Sequence, residues 1–235
     1  LKGARVTFAI QNKAKMSKKY FLMAAFSLGI VGTTMAQDYK STEATTLTAY
    51  FQAKEQSEKL NQSNRLVLIA KKFNDQWSAS YYAALSKILI NYEEKDAAKK
   101  DAYLDEAEDL LNTAATLSNK EDKNQQSEIY ALKGMIANAR IGVAPQKRYK
   151  EYGKVFEENL EKAKANNADN PRIYFLKGTS VFYTPKFVGG GKKNAITYFQ
   201  KAAPLFDKEK KDDITVPSWG AEVNADYIKQ CQAED

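Results

Sequence analysis

The sequence contains no histidine, which excludes Ser-His-Asp and Cys-His catalysis and every histidine-liganded metal site. Cysteine occurs once, at Cys231, so no intramolecular disulfide can form even in an oxidising compartment. The lone thiol reads as a small buried side chain near the C-terminus. Acidic residues are absent from the first 36 positions, where Lys2, Arg5, Lys13, Lys15, Lys18 and Lys19 stand. The formal charge of +7 belongs mostly to that segment, since from Gln37 onward 30 basic residues face 29 acidic ones. Interleaved charges of both signs describe a solvated globular surface and argue against a nucleic-acid partner.

The basic start is followed by what a targeting segment requires. Met16-Ser17-Lys18-Lys19 leads into the uncharged, mostly apolar run Tyr20 to Gly32, and Thr34-Met35-Ala36 supplies the small residues of a cleavage site. Residues 1–15 open on Leu1 and read as translated upstream sequence or an artefact, with Met16 as the start. The competing reading is a retained membrane anchor, but the run weakens through Gly29, Gly32, Thr33 and Thr34, short of about 20 strongly apolar residues. No cysteine near the cleavage point supports a lipoprotein. The expected organisation is therefore a leader over 1–36 and one domain over 37–235, periplasmic or secreted after cleavage behind Ala36, with no transmembrane segment in the mature chain.

Beyond Gln37 the apolar period is helical. Asp38 to Thr46 reads as loose, Leu47 to Leu60 as a helix, Gln62-Ser63-Asn64 as a turn, and Leu66 to Phe73 as a second helix. Trp77, Tyr81, Ala84, Leu85, Ile88 and Leu89 then recur at three and four, and a charged bend leads to a partner helix carrying Ala107, Leu111 and Ala114. Ile129-Tyr130-Ala131-Leu132-Lys133-Gly134 opens a second such pair, broken over Gly142 to Gln146 and resumed by Val155, Phe156, Leu160 and Ala163. Asn170-Pro171 is a helix start, with Asn as cap and Pro in the first turn. Ile173-Tyr174-Phe175-Leu176-Lys177-Gly178 opens the third pair, whose second helix carries Ala195, Phe199 and Ala202. A final helix with Val223, Tyr227, Ile228 and Cys231 can cover the open end.

An aromatic, a glycine four residues later, and a second helix with Ala-x3-Phe-x2-Ala resemble the tetratricopeptide repeat (TPR), in which small residues let two antiparallel helices approach closely. Tyr174, Gly178, Ala195, Phe199 and Ala202 carry the resemblance most fully. In the second pair Phe156 stands where Ala is expected, and in the first Tyr81 replaces Gly. The openings lie 53 and 44 residues apart against about 34 in the family, so the connecting loops are enlarged. The resemblance extends to short exported TPR-like proteins of Gram-negative bacteria. It implies an all-α fold, an antiparallel helix-hairpin (TPR-like) solenoid of about three repeats with a capping C-terminal helix.

The functional expectation follows from that architecture. A non-catalytic, exported scaffold would hold an unidentified protein or peptide in its concave groove. The alternative is a periplasmic small-molecule or solute-binding protein using the glycine-rich loop, in the service of a transporter. The candidate ligand-binding residues are Tyr81, Tyr130 and Tyr174 at the repeat openings, and Phe187, Gly189, Gly190, Gly191 and Lys192 in the loop. Glycine N–H groups ahead of a helix, with lysines beside them, suit an anion; equally, glycine lets an enlarged turn close. The tyrosines seal the helix pairs or reach the groove. Asp105, Glu106, Glu108 and Asp109 lack the loop glycine of an EF-hand and read as a solvated face. No catalytic residue, metal or cofactor is expected.

Overall fold

In the computed structural model, residues 38–210 and 212–233 are described. The leader expected over 1–36 lies outside them. The chain divides into two units, Leu1–Thr42 and Glu43–Asp235. Of the first, residues 38–42 form a helical turn in which the Ser41 hydroxyl donates to the Asp38 carbonyl at 3.3 Å. Everything below concerns the second unit.

All of its regular structure is helical among the described residues: α1 (residues 43–52 in this unit, the helix being described from 38), α2 (Gln56–Lys72), α3 (Trp77–Glu93), α4 (Ala97–Leu117), α5 (Lys123–Val143), α6 (Pro145–Asn166), α7 (Pro171–Tyr183), α8 (Lys192–Phe206) and α9 (Ala221–Gln232). Three antiparallel hairpins, α3/α4, α5/α6 and α7/α8, stack in order. Their first helices touch one another in a row, α2 packs on α3, and α9 packs on α8.

The helix starts follow local chemistry. Asp96 accepts from the Lys99 N–H, Asp122 from those of Asn124 and Gln125, and Asn170 from that of Arg172, each meeting a first-turn donor with no partner inside the helix. Pro145 and Pro171 begin α6 and α7, where a missing N–H costs nothing. Close approach within the hairpins rests on Ala107, Ala114, Ala163, Ala195 and Ala202, all fully buried. At Gly178 an added Cβ would lie 2.6 Å from the Phe199 ring, so α7 and α8 meet only because the side chain is absent.

Three boundaries differ from expectation. Residues 38–46 are helical rather than loose, α1 ends at residue 52 rather than Leu60, and α2 runs straight through Gln62–Asn64. Polar residues there suggest a turn by composition, but Ser63 and Asn64 are satisfied across the packing interface. The Ser63 hydroxyl lies 2.8 Å from that of Ser86, and Lys87 donates to Asn64 at 3.2 Å. The acidic run of α4 is likewise engaged rather than merely solvated: Glu106 pairs with Lys87 at 2.7 Å, and Asp105 and Glu108 both accept from Arg140. Cys231 is half-buried.

A buried polar network fastens the end of the stack to its beginning. Arg172, fully buried, donates to Glu128 of α5 at 3.0 Å and to Glu209 at 2.6 Å, with its guanidinium 4.9 Å from the Trp219 ring. Glu128 also accepts from the Tyr81 hydroxyl at 2.6 Å, which in turn accepts from the Trp219 indole N–H at 2.8 Å. Burial works against the Arg172 charge, but Glu128, Tyr81 and Glu209 together hold its pKa above the ordinary value. Glu209 and Trp219, on either side of this return, thereby bring the chain from the end of α8 back to Tyr81 of α3.

Candidate functional site

The sequence ends α7 sharply. Thr184 precedes a proline, which disfavours helical geometry, and takes an extended conformation. A 3-10 turn (Lys186–Val188) follows, and Gly189 and Gly191 both adopt φ +90°, in the left-handed region that suits glycine. The loop then folds on itself. Gly189 N–H donates to Lys186 O at 3.1 Å, Gly190 N–H to Pro185 O at 3.1 Å, and Gly191 N–H to Val181 O at 2.9 Å. All three glycine N–H groups are thus spent inside the turn, leaving none directed at an anion. At Gly190 an added Cβ would stand 2.0 Å from the Thr184 carbonyl oxygen. Lys192, half-buried, begins α8; its charge acts against the burial that raises the Cys231 thiol pKa.

This turn leaves Phe187 89% and Val188 60% exposed, four and five residues after Tyr183, itself 72% exposed. Behind them lies an aromatic cluster. The Tyr183 and Tyr227 hydroxyls are 3.1 Å apart, and Phe182 meets both rings edge-on at 5.1 Å. Tyr227 lies flat on Phe199, with centroids 4.8 Å apart and planes 7° from parallel. Burial, followed by the hydrogen bond with Tyr183, raises the Tyr227 pKa. Tyr92, near the end of α3, keeps part of its ring exposed, while loss of water around its phenol, followed by the charge of Tyr183, raises its pKa too. Val223, one turn before Tyr227, is half-exposed. These exposed apolar groups stand on a well-packed aromatic base, which makes the edge a candidate binding surface.

The eight residues singled out by sequence do not form one group. Phe187, Gly189, Gly190, Gly191 and Lys192 share the loop. Tyr81 is fully buried, with its hydroxyl in the Glu128–Trp219 network. Tyr174 is buried at the opposite end of α7 from the loop, its hydroxyl donating to Ala168 O at 2.9 Å and the Lys201 ammonium 4.2 Å from its ring. Tyr130 is half-buried between the ammonium groups of Lys133 and Lys162. The tyrosines grouped with Tyr183 at the end of α7, Tyr227 and Tyr92, were not among the candidate residues, nor was Tyr183 itself. A signal was present: Phe182-Tyr183 stands immediately before the Thr-Pro stop and four residues ahead of another exposed aromatic.

Among the described residues no group of three or more Cys, His, Asp or Glu side chains could hold a metal ion, and no helix is long and apolar enough to cross a membrane. No family model matches the chain, and no curated protein matches it. The repeat resemblance therefore stands on its residues and on the helix-hairpin stack. Among solved structures, the chain is similar to the HusA haemophore from Porphyromonas gingivalis. The two share 28% identity with a TM-score of 0.68, over 84% of this chain and 92% of that one. The likeness is to an all-helical binding protein.

Proposed function

We propose that this chain is an exported, non-catalytic binding protein whose ligand is a flat, largely apolar macrocycle of the haem type, carried on the ledge formed by Tyr183, Phe187, Val188 and Tyr227. The observation that carries the reading is the similarity to a haemophore along most of the chain, coinciding with exposed aromatic surface beside a phenol pair. This favours the small-ligand alternative over the peptide scaffold and moves the site from the glycine N–H groups to the side chains around them. Export rests on the basic start, apolar run and small-residue cleavage pattern ahead of Gln37.

The residues fit such cargo. Burying apolar surface contributes about 25 cal/mol per Å2, so a flat hydrocarbon face gains most from a ledge that is already apolar and rigid. With no histidine in the chain, a phenolate oxygen is the natural donor to ferric iron, as tyrosine is in some haem proteins. Tyr183 offers its oxygen from an exposed ring, and the Tyr227 hydroxyl 3.1 Å away can donate a hydrogen bond to it. Phe199 and Phe182 hold Tyr227 in that position.

Titration of haemin into the protein, followed by absorbance, tests the reading. A saturable shift of the Soret band is expected, with a phenolate-to-iron charge-transfer band that Tyr183→Phe abolishes. Absence of saturable binding, or unchanged affinity in a Tyr183→Ala, Phe187→Ala double variant, would overturn it.

A further inference from the structure

A second concavity lies at the other edge of the same row of helices. Trp77 begins α3 and Tyr92 nearly ends it, so at 1.5 Å per residue about 22 Å separates this edge from the aromatic ledge. The cavity, about 360 Å3, is bounded by the N-terminal ends of α3, α5 and α7 and walled by residues of the returning segment. That volume lies within the range of small-molecule sites.

Its floor is closed chemically. Glu128 and Glu209 are taken by Arg172, and the Asn170 side chain donates to Ser127 and Glu128 while accepting from the Arg172 N–H. The rim is different. The amide nitrogens of Asn124 and Gln125 and the Lys208 ammonium make no hydrogen bond or ion pair among the described residues. The same holds for the Asp169 carboxylate and for the second oxygen of Asp122, whose first oxygen caps α5. Three uncommitted donors therefore face two uncommitted acceptors around one opening, with the half-exposed Trp77 indole as a flat apolar wall.

We propose that this cavity binds a neutral polyhydroxylated ligand, a sugar ring. An anion would face Asp122, Asp169, Glu128 and Glu209, while a cation would meet Lys208 and leave both amide donors unpaired. A hydroxyl both donates and accepts, so vicinal hydroxyls satisfy an amide or ammonium and a carboxylate at once. The C–H face of a pyranose is apolar and matches the Trp77 ring. The bound ring is either a free sugar or the terminal residue of a glycan.

Saturation-transfer NMR and tryptophan fluorescence with glucose, galactose, N-acetylglucosamine and their methyl β-glycosides test this. At least one probe is expected to bind saturably, and Trp77→Leu to weaken it by about tenfold or more. Because Trp77→Leu risks the fold, an Asn124→Ala, Asp169→Ala double variant at the exposed rim provides the second arm, with the same weakening expected and unfolding by heat unchanged. Binding of the methyl glycosides identifies a glycan end; binding of the free sugars alone identifies a soluble ligand. The proposal is overturned if no probe binds saturably, if argininamide or inorganic phosphate binds at the rim instead, or if the double variant binds like the parent. Haemin affinity is indifferent to every one of these outcomes, so the two proposals stand or fall separately.

Discussion

Glu43 gives a quantitative handle on the packing of α1. It lies on a buried stripe with Thr46, Leu47 and Tyr50, is fully inaccessible, and neither carboxylate oxygen has a hydrogen-bond partner among the described residues. Burial raises its pKa from 4.5 to about 8, so at neutral pH the group is predominantly a protonated acid, the form that tolerates such surroundings. The folded state therefore keeps a proton that the unfolded chain releases above about pH 4.5. The stability this provides is whole below that pH and is lost as the pH climbs through about 8. The slope between those limits is about 1.4 kcal/mol per pH unit, so from pH 5 to pH 7.5 the loss is about 3 kcal/mol. Glu43→Gln keeps the shape and removes the titration. Urea unfolding followed by circular dichroism, run in parallel on both proteins at pH 5, 6, 7 and 8, isolates this group, because all other titrations cancel in the difference. Relative to the parent, the Gln variant should gain about 3 kcal/mol across the range. Two stability curves that stay parallel would refute the assignment of a buried, unpartnered acid.

Arg172→Met leaves Glu128 buried without its cation and should cost about 3–5 kcal/mol in denaturant unfolding, whereas adding Glu128→Gln to it should recover part of the loss. The two glycines that occupy the same place in the repeated hexapeptide should behave differently. Gly178→Ala forces a Cβ to 2.6 Å from Phe199, a ring already stacked on Tyr227, and should destabilise by about 1–3 kcal/mol in the same assay. Gly134→Ala meets nothing closer than the end of Leu160 at 3.2 Å, and its helix-propensity gain of up to about 1 kcal/mol should leave it near neutral.

The contrast between those glycines shows how far the sequence could be read. The repeated hexapeptide, the Asn170-Pro171 cap and the small residues of α4, α6 and α8 announced the hairpins, because helix periodicity and capping are local properties. The run through Gln62–Asn64 was misread because the satisfaction of Ser63 and Asn64 by Ser86 and Lys87 is a contact between helices, invisible to a window of neighbours. The site was half legible for the same reason. The glycine loop and Phe187 were plain, since turns are written in Gly and Pro. The tyrosine group beside it comes from positions 92, 183 and 227, on three different helices that only their stacking brings together. Tyr81 points the same way: its spacing marked it as special, but its role depends on Glu128 and Trp219, 47 and 138 residues further on.

Residues 207–220 explain how a short stack can present two different surfaces. An array of three hairpins leaves its end repeats half-covered, and helical repeats are stabilised only by neighbours. Here α9 covers α8 and supplies Tyr227 to the aromatic ledge, so covering the end and building that ledge are one act. The segment that delivers α9 must first cross from the end of α8, and it does so along the N-terminal edge, where Glu209 meets Arg172 and Trp219 meets Tyr81. Its side chains there wall the polar cavity. The wide spacing of the repeat openings, expected to come from enlarged loops, is taken up instead by long helices: α3 to α6 have 17 to 22 residues and are joined by short connections. The two longer connections are the α7–α8 loop at the apolar edge and the α8–α9 segment at the polar one. The helices between supply rigid spacing, so the two ligands proposed above would not compete for the same surface.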